Sequence, residues 1–387
     1  MPKLGSAPVF QAAPASAGIQ LSLKIVTPVL GGGVEAGIND PLSPIRPAAV
    51  RGMLRWWWRA TAGAKCQSGP ELYKKESTIW GSTDCKSPVS VEIHNPFLSP
   101  GVDAVRDDGG RKVFEQPGYA LFPAQQEIVR KFHKTGSFDL VVTCPKHFLL
   151  EIENAVRAWV FFGGVGSRTR RGLGSLLAVS DPKFKLSMFA AFIQTLPPSA
   201  SPDWSTLGQS SFILGKKSTP VQAWNDAVNL YKDFRQDRRP GQTPNRPGRS
   251  YWEEPDAIRR LRGTADRRHS EPVTEENVFP RAQMGLPIIF HFKDSRTGDP
   301  QDNTLEIAEE GSDRMASPVI TKAIAASETE GFPLILALRG PEAPRNLVLK
   351  QARDKDIHVT QGDIDAIEDL FKKAERVWAP AKRGLLK

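Results

Sequence analysis

Three arginines spaced four residues apart occur in a segment that is also rich in tryptophan. Arg51, Arg55 and Arg59 lie within PLSPIRPAAVRGMLRWWWRA, residues 41–60, and residues 41–70 contain no Asp or Glu. At 100° per residue these arginines share one face of a helix, and the opposite face is apolar. We therefore expect the apolar face to pack on a core and the basic face to bind a phosphate backbone.

The tryptophans of this helix divide between the two faces. Trp56 and Trp57 belong mainly to the apolar face, whereas Trp58 lies at the border beside Arg51. Trp58 is therefore predicted to stack on a base or a sugar. In the alternative interpretation, the helix is merely amphipathic and its arginines pair with acids from elsewhere in the fold.

A glycine-rich loop, GGVGSRTRRGLGSL at residues 163–176, is the second candidate site. Its glycines allow tight turns and close approach to a ligand, and the residues between them supply hydrogen-bond donors. The glycines are Gly164, Gly166, Gly172 and Gly174, and the donors are Ser167, Arg168, Thr169, Arg170 and Arg171. Amide and guanidinium groups together predict a phosphate site. The alternative is a flexible basic hairpin loop without a ligand.

The position of this loop argues against a nucleotide-dependent enzyme. The phosphate-binding loops of such enzymes follow a strand and open a helix. This loop follows a predicted helix at 148–164, precedes a predicted strand, and lacks the Gly-Lys-Ser/Thr sequence. We expect RNA instead to lie between Arg46 and the arginine row on one side and residues 166–171 on the other, mainly through phosphate contacts.

Composition supports a polyanionic partner. The 387 residues include 52 Lys and Arg against 43 Asp and Glu, a formal net charge of +9. The three cysteines, at wide spacing, fit neither a disulfide framework nor a zinc site, and we expect no metal ion or cofactor. No apolar run approaches the roughly 18 residues of a membrane span, and residues 1–18 do not resemble a signal peptide, so we expect a soluble cytoplasmic protein without membrane contact.

The order of predicted elements in the first half is strand, helix, two strands, helix, strand. The strands are predicted at 18–30, 88–94, 138–144 and 173–180, and the helices from Ile45 and at 148–164. This order predicts an α+β fold of ferredoxin-like type, as in RNA-recognition domains, over residues 1–182.

The second half is predicted to hold a degenerate domain of the same type at residues 273–387. Strands are predicted at 286–294, 317–326 and 332–340, and an amphipathic helix at 363–379. Residues 183–272 are interpreted as a helical and basic connection rich in Arg, Pro and Gly, since few residues of 233–272 are suited to a core.

The spacing of the four loop glycines, with Val165 and Leu173 among them, resembles the signature loop of the RAMP superfamily of CRISPR proteins. Six segments in all are similar to the family of first subunits in the Cmr series, from the type III-B CRISPR effector complex. They are SPIRPAAVRGMLRWWWRA, STIWGS, RSYWEEPDAIRR, FPRAQMGLPIIFHF, RMASPVITK and the glycine-rich loop itself.

This resemblance implies two ferredoxin-like domains and an RNA-binding subunit without catalytic activity. It also implies a position at the end of the complex, beside other Cmr subunits, holding the 3′ region of the guide RNA, the target RNA or both in antiviral defence. In the segments that carry the resemblance, the predicted RNA contacts are Arg249, Trp252, Arg259, Arg281, Arg314 and Lys322. Three acids at a predicted helix start, Glu253, Glu254 and Asp256, are interpreted as capping groups and not as metal ligands.

Two other functions stay open at this point. The first is a metal-independent RAMP endoribonuclease that processes CRISPR RNA, which requires a His, Tyr or Lys near the scissile phosphate. No histidine lies in the glycine-rich loop or in the arginine helix, and His269, within DRRHSEP, is the candidate to test. The second is a purely structural subunit, whose arginine faces would meet acidic protein surfaces.

Overall fold

A computed structural model describes residues 16–31, 33–34, 38–126, 131–201, 203–239, 249–265, 272–292, 298–309, 314–352 and 354–385. The first half contains β1 Ser16–Ile25, β2 Val29–Leu30, α1 Pro47–Ala60, α2 Gly69–Trp80, β3 Ser90–Leu98, β4 Gly101–Val102, β5 Val105–Asp108, β6 Arg111–Phe114, α3 Gly118–Gln126, β7 Phe132–His133, β8 Gly136–Pro145, α4 Leu149–Phe162 and β9 Leu176–Ala178. The second half contains α5 Phe189–Gln194, β10 Thr206–Leu214, α6 Pro220–Gln236, α7 Glu254–Leu261, β11 Ile288–Phe290, β12 Asn303–Ile307, β13 Val319–Ala325, β14 Gly331–Arg339, β15 Asn346–Gln351, β16 Ile357–Thr360, α8 Ala366–Val377 and β17 Lys382–Leu385.

Four strands of the first half form an antiparallel sheet in the order β3-β8-β1-β9. Alternation along β1 buries Leu21, Leu23 and Ile25, while Ser22 and Lys24 are only partly buried. Helices α1 and α4 pack against each other, and their apolar residues share one core with the buried side chains of this sheet. Helix α1 begins with a proline at its first position, where the missing N–H has no intrahelical partner to lose.

The second half repeats this arrangement. Its antiparallel sheet has the order β13-β14-β10-β17, and α6 lies between its first and second strands in the chain. Helix α8 lies between the third and fourth strands. A third antiparallel sheet, β11-β12-β15-β16, is inserted in two pieces, and α7 shares its core.

The mixed α and β composition with antiparallel sheets confirms the predicted α+β class. The interpretation of residues 183–272 as a connection, however, does not hold for the part that contains β10 and α6. These two elements supply the first strand and the first helix of the second sheet arrangement. The sequence did not predict this role for two reasons. Helix α6 buries only one face, so its composition is mixed polar and apolar, and β10 pairs with strands more than 100 residues away.

Side chains from both halves form one continuous core. Ile320, Leu334 and Leu336 of the second sheet join the core cluster that contains Leu54 and Trp159 of the first half. The segment between α4 and β9, which holds the glycine-rich loop, lies against β13. The second half therefore takes part in positioning the first candidate site.

Candidate nucleic-acid interface

Close backbone contacts account for the glycines of the loop. A Cβ atom at Gly164 would lie 2.6 Å from the carbonyl oxygen of Gly174, and one at Gly174 would lie 2.0 Å from that of Val165. Val165 N donates to Gly174 O at 3.0 Å, and Ser167 N donates to Leu30 O at 2.7 Å. The two limbs of the loop are thus tied to each other and to β2.

The tip of the loop carries partly exposed residues at positions 166–170. Arg168 adopts the left-handed conformation with φ of 55°, and a single 3-10 turn, Thr169–Arg171, follows it. Gly172 at the end of this turn has φ of 73°. Among the described residues, none accepts a hydrogen bond from the amides of Arg168, Thr169 or Arg170.

Three guanidinium groups gather at this tip. Arg168 Nη2 donates to Tyr119 O at 2.9 Å, Arg170 Nη1 donates to Ser317 O, and Arg171 Nη1 donates to Val319 O at 2.7 Å. Within the described part of the chain, no carboxylate pairs with any of these three arginines. Burial lowers the pKa of Arg168 and of Arg170, and the positive charge of Arg171 lowers both further.

Arg171 is the buried member of this group. Its guanidinium lies 4.3 Å from the ring centroid of Tyr231 and donates to the Tyr231 hydroxyl at 3.1 Å. Burial raises the pKa of Tyr231, but the positive charges of Arg171 and Arg235 outweigh it, so that the pKa is lowered. Arg171 therefore holds the loop on the second half, and its predicted role as a direct ligand contact is not supported by its position.

The loop and helix α1 form one continuous surface. A shallow groove between them is lined by Pro44, Ile45, Arg46, Ala49, Val50, Met53, Gly164, Val165 and Gly166. Arg46 Nη2 donates to Gly33 O at 2.8 Å, and the Arg170 guanidinium lies 5.5 Å from the Trp56 ring centroid. The two segments that the sequence analysis placed beside each other are therefore adjacent.

The arginine row of α1 has protein partners. Arg51 donates to the carbonyl oxygens of Val89, at 2.8 Å, and Trp80. Arg55 Nε and Arg59 Nη1 both donate to Glu76 Oε1, at 2.8 and 3.0 Å. This is the arrangement of the alternative interpretation, in which an acid outside the helix pairs with the row. Two arginines nevertheless share one buried carboxylate and keep about a third of their side chains exposed.

The predicted stacking role of Trp58 is wrong. Its side chain is buried, and its indole N–H donates to Glu151 Oε2 at 2.9 Å. Trp56 is the half-buried tryptophan of the run, and it faces Arg170. The helical angles identified the apolar face correctly, but only the packing of α4 decides which edge of that face stays accessible.

Residues 22–177 match the family model of the RAMP superfamily. We call this matched region the RAMP domain. This match confirms the superfamily resemblance that the glycine spacing predicted. It runs from within β1 to within β9 and includes the groove and the loop.

Two relatives from Pyrococcus furiosus are similar to this chain. The CRISPR system Cmr subunit Cmr1-1 is 28% identical over 142 residues, which are 35% of this chain and 40% of the relative, so the matched region spans well under two thirds of that protein. The CRISPR system Cmr subunit Cmr1-2 is 28% identical over 183 residues, 40% of this chain and 91% of the relative. These matches confirm the narrower resemblance to the first-subunit family.

A solved structure extends the likeness to the whole fold. The crystal structure of Cmr1 from Pyrococcus furiosus in its apo form matches with a TM-score of 0.53 at 14% identity. The match covers 94% of this chain and 97% of that one, so both the RAMP domain and the second half have counterparts in one known fold.

The predicted contacts outside the RAMP domain lie mostly in internal ion pairs. Arg249 and Arg259 both pair with Asp256, at 3.0 and 2.9 Å, and Arg281 pairs with the buried Glu254. The Trp252 indole N–H donates to Phe234 O at 2.8 Å. These residues form the packing of α7, and their positions do not support the predicted RNA contacts. Arg314 is exposed.

Two of the three acids at the start of α7, Glu254 and Asp256, pair with arginines. The predicted helix start is confirmed, with Glu253 at the N-cap and Glu254 and Asp256 in the first turn, where negative charge favours the positive end of the helix dipole. A capping hydrogen bond from the Glu253 side chain is not formed, and this side chain accepts from Thr274 N instead, at 2.8 Å. Among the described residues, no cluster of His, Cys, Asp or Glu is suited to a metal ion.

The remaining predictions concern His269, Lys322 and membrane contact. His269 lies outside the described residues. Lys322 is fully buried and donates to Gly163 O at 2.7 Å, so its position contradicts the predicted phosphate contact. No helix in the described ranges is both long and apolar enough to cross a membrane.

Proposed function

We propose that this chain is a non-catalytic RNA-binding subunit of a type III-B CRISPR effector complex. In this role it holds the 3′ region of the guide RNA, the target RNA or both, beside other Cmr subunits. The similarity to the two Cmr1 subunits supports the assignment to the complex. In the sheets β3-β8-β1-β9 and β13-β14-β10-β17, the neighbouring strands are the second, third, first and fourth of that sheet along the sequence. This shared order supports two ferredoxin-like domains.

The observation that carries the RNA-binding role is the group of arginines at the loop tip. Arg168 and Arg170 make hydrogen bonds to carbonyl oxygens, which leave their positive charge uncompensated. Burial and the positive charge of Arg171 lower the pKa of both groups, so a negative charge placed beside them would stabilise their charged forms. A phosphate at the tip would supply that charge, and Arg46 on the other side of the groove extends the cationic surface.

The same surface offers a flat contact beside the charges. Trp56 is half-buried, and the neighbouring surface of α1 presents Ala48, Ala49 and Gly52, where no side chain projects far. A sugar or base of the strand would stack on Trp56 while its phosphates meet the loop. Such contacts read little sequence, as suits a complex in which base pairing with the guide carries specificity.

The experiment compares RNA affinity across a salt series for three proteins. Wild type should bind single-stranded RNA more tightly than duplex DNA, with affinity that falls steeply with salt. Arg170→Gln should bind more weakly, and the slope of log affinity against log salt should fall by about 0.7 for each lost phosphate contact on a single strand. Arg345→Gln, an exposed position paired with Asp363, is the charge-matched control and should bind like wild type.

Three results would contradict the proposal. Equal loss in both variants would indicate nonspecific attraction by net charge. Binding unchanged in Arg170→Gln would place the site elsewhere on the chain. Cleavage of the RNA by wild type would favour the endoribonuclease function instead.

A further inference from the structure

Four carbonyl groups of the glycine-rich loop accept hydrogen bonds from fully buried side chains. The pairs are Gly163 O with Lys322 Nζ at 2.7 Å, Gly164 O with Trp159 Nε1 at 3.0 Å, Arg171 O with Trp224 Nε1 at 2.7 Å, and Gly172 O with Thr27 Oγ1 at 2.6 Å. These carbonyls therefore point into the core. The loop is held from below by specific donors, two of which belong to the second half.

Lys322 is the exceptional donor in this set. It lies in the middle of β13, a strand with every residue buried, and its own exposure is 0%. Among the described residues, Gly163 O is the one hydrogen-bond partner of its amine, and no carboxylate lies near enough to pair with it. Burial alone lowers the pKa of Lys322, to about 7. A buried amine of this kind reduces stability relative to an apolar side chain of similar length.

The contact occurs where the loop leaves α4. Gly163 follows the last residue of that helix, and a Cβ atom there would lie 2.6 Å from both the Trp57 and the Trp159 rings. At the other limb, a Cβ atom on Gly172 would lie 2.8 Å from the Cα atom of Lys322. Lys322 thus lies beneath both ends of the segment that carries Arg168 and Arg170.

We propose that Lys322 is a positioning residue of the RNA-binding loop. Its hydrogen bond to Gly163 O fixes the direction in which the chain leaves α4, and through it the second half places Arg168 and Arg170 at the surface of the RAMP domain. This inference rests on the proposed function, because it assigns a supporting residue to the same site. It also gives a reason for a lysine that lowers stability in a fully buried strand.

The test uses three variants of the full chain and single-stranded RNA at fixed salt and pH. Lys322→Met removes the donor and keeps an unbranched chain, and Lys322→Gln restores an uncharged donor. Thr321→Val is the matched control, since the Thr321 hydroxyl is also fully buried in β13 but has no hydrogen-bond partner among the described residues. RNA affinity and melting temperature are measured for each protein.

We expect Lys322→Met to bind RNA about 3- to 10-fold more weakly, the range of one lost hydrogen bond, while its melting temperature is equal or higher. Lys322→Gln should recover most of the affinity, and Thr321→Val should bind like wild type. Weaker RNA binding without a lower melting temperature would show that Lys322 positions the loop and is not simply needed for folding.

Lys322→Met with wild-type affinity would overturn the inference and leave the proposed function intact. Parallel loss of affinity and melting temperature would overturn it in favour of a purely structural lysine. If wild type itself fails to bind RNA, the proposed function fails first.

Discussion

The buried ion pair between Arg281 and Glu254 allows a sharp test of structural against RNA-binding roles. Glu254 is 1% exposed, and its carboxylate accepts from Arg281 N at 2.9 Å and from Arg281 Nε. Arg281 Nη1 also donates to Arg235 O at 2.7 Å, and the guanidinium lies 5.1 Å from the Phe290 ring centroid. The pair therefore links α6, α7 and the third sheet.

Replacement of Arg281 by Met leaves the Glu254 carboxylate buried, and within the described ranges its one remaining hydrogen-bond donor is the backbone N–H of residue 281. Removal of one member of a buried ion pair costs about 3–5 kcal/mol, and we expect the free energy of unfolding to fall by that amount. The double variant Arg281→Met with Glu254→Gln removes the stranded charge as well and should recover most of the loss. Urea unfolding followed by tryptophan fluorescence measures both variants.

RNA affinity provides the second measurement on the same proteins. Under conditions in which Arg281→Met remains folded, its affinity for single-stranded RNA should stay within about twofold of wild type, since Arg281 is only 8% exposed. A variant that unfolds like wild type but binds RNA much more weakly would refute the structural assignment. It would restore Arg281 to the RNA-binding surface.

Three further predictions follow from buried groups and glycines. Burial lowers the pKa of Lys322 to about 7, so between pH 7 and about 10 the lysine holds its proton in the unfolded chain but not in the folded one. The free energy of unfolding should therefore rise by about 4 kcal/mol as the pH increases over this range. Urea unfolding of Lys322→Met at the same pH values should lack that rise. Glu76→Gln should lower stability by about 1–3 kcal/mol in thermal unfolding, since it weakens the acceptor that two helix arginines share, and an unchanged melting temperature would contradict this role. Gly174→Ala, with φ of 65° and a carbonyl oxygen 2.0 Å from the new Cβ, should lose both stability and RNA affinity. Gly52→Ala, in open space on α1, should instead raise the free energy of unfolding by about 0.5–1 kcal/mol.

Local pattern determined much of the secondary structure. The predicted strand at 138–144 lies within β8, and the predicted helices at 148–164 and 363–379 contain α4 and α8. Apolar residues recur in each of these elements at the spacing of a strand or a helix, because one face of the element meets a core. The second sheet was predicted incompletely, because the partners of β10 lie far along the chain and no local pattern identifies them.

The candidate site, too, was predicted in part from the sequence. The spacing of the glycines identified the loop, because tight turns and close backbone contacts impose glycine locally whatever surrounds them. Which cations stay available could not be predicted, since that depends on long-range partners. Arg55 meets a carboxylate 21 residues away, and Arg170 meets a carbonyl oxygen 147 residues away.

The sequence by itself determined that this chain has a basic, amphipathic helix and a glycine-rich loop in an α+β fold. Only the tertiary structure decided that Trp56 rather than Trp58 stays partly exposed beside Arg170, and that Lys322 and Arg281 are buried. The physical reason is that periodicity in the sequence shows which residues share a face of a helix or strand, whereas the burial of that face depends on the elements that pack against it. Here those elements come from the other half of the chain or from distant helices.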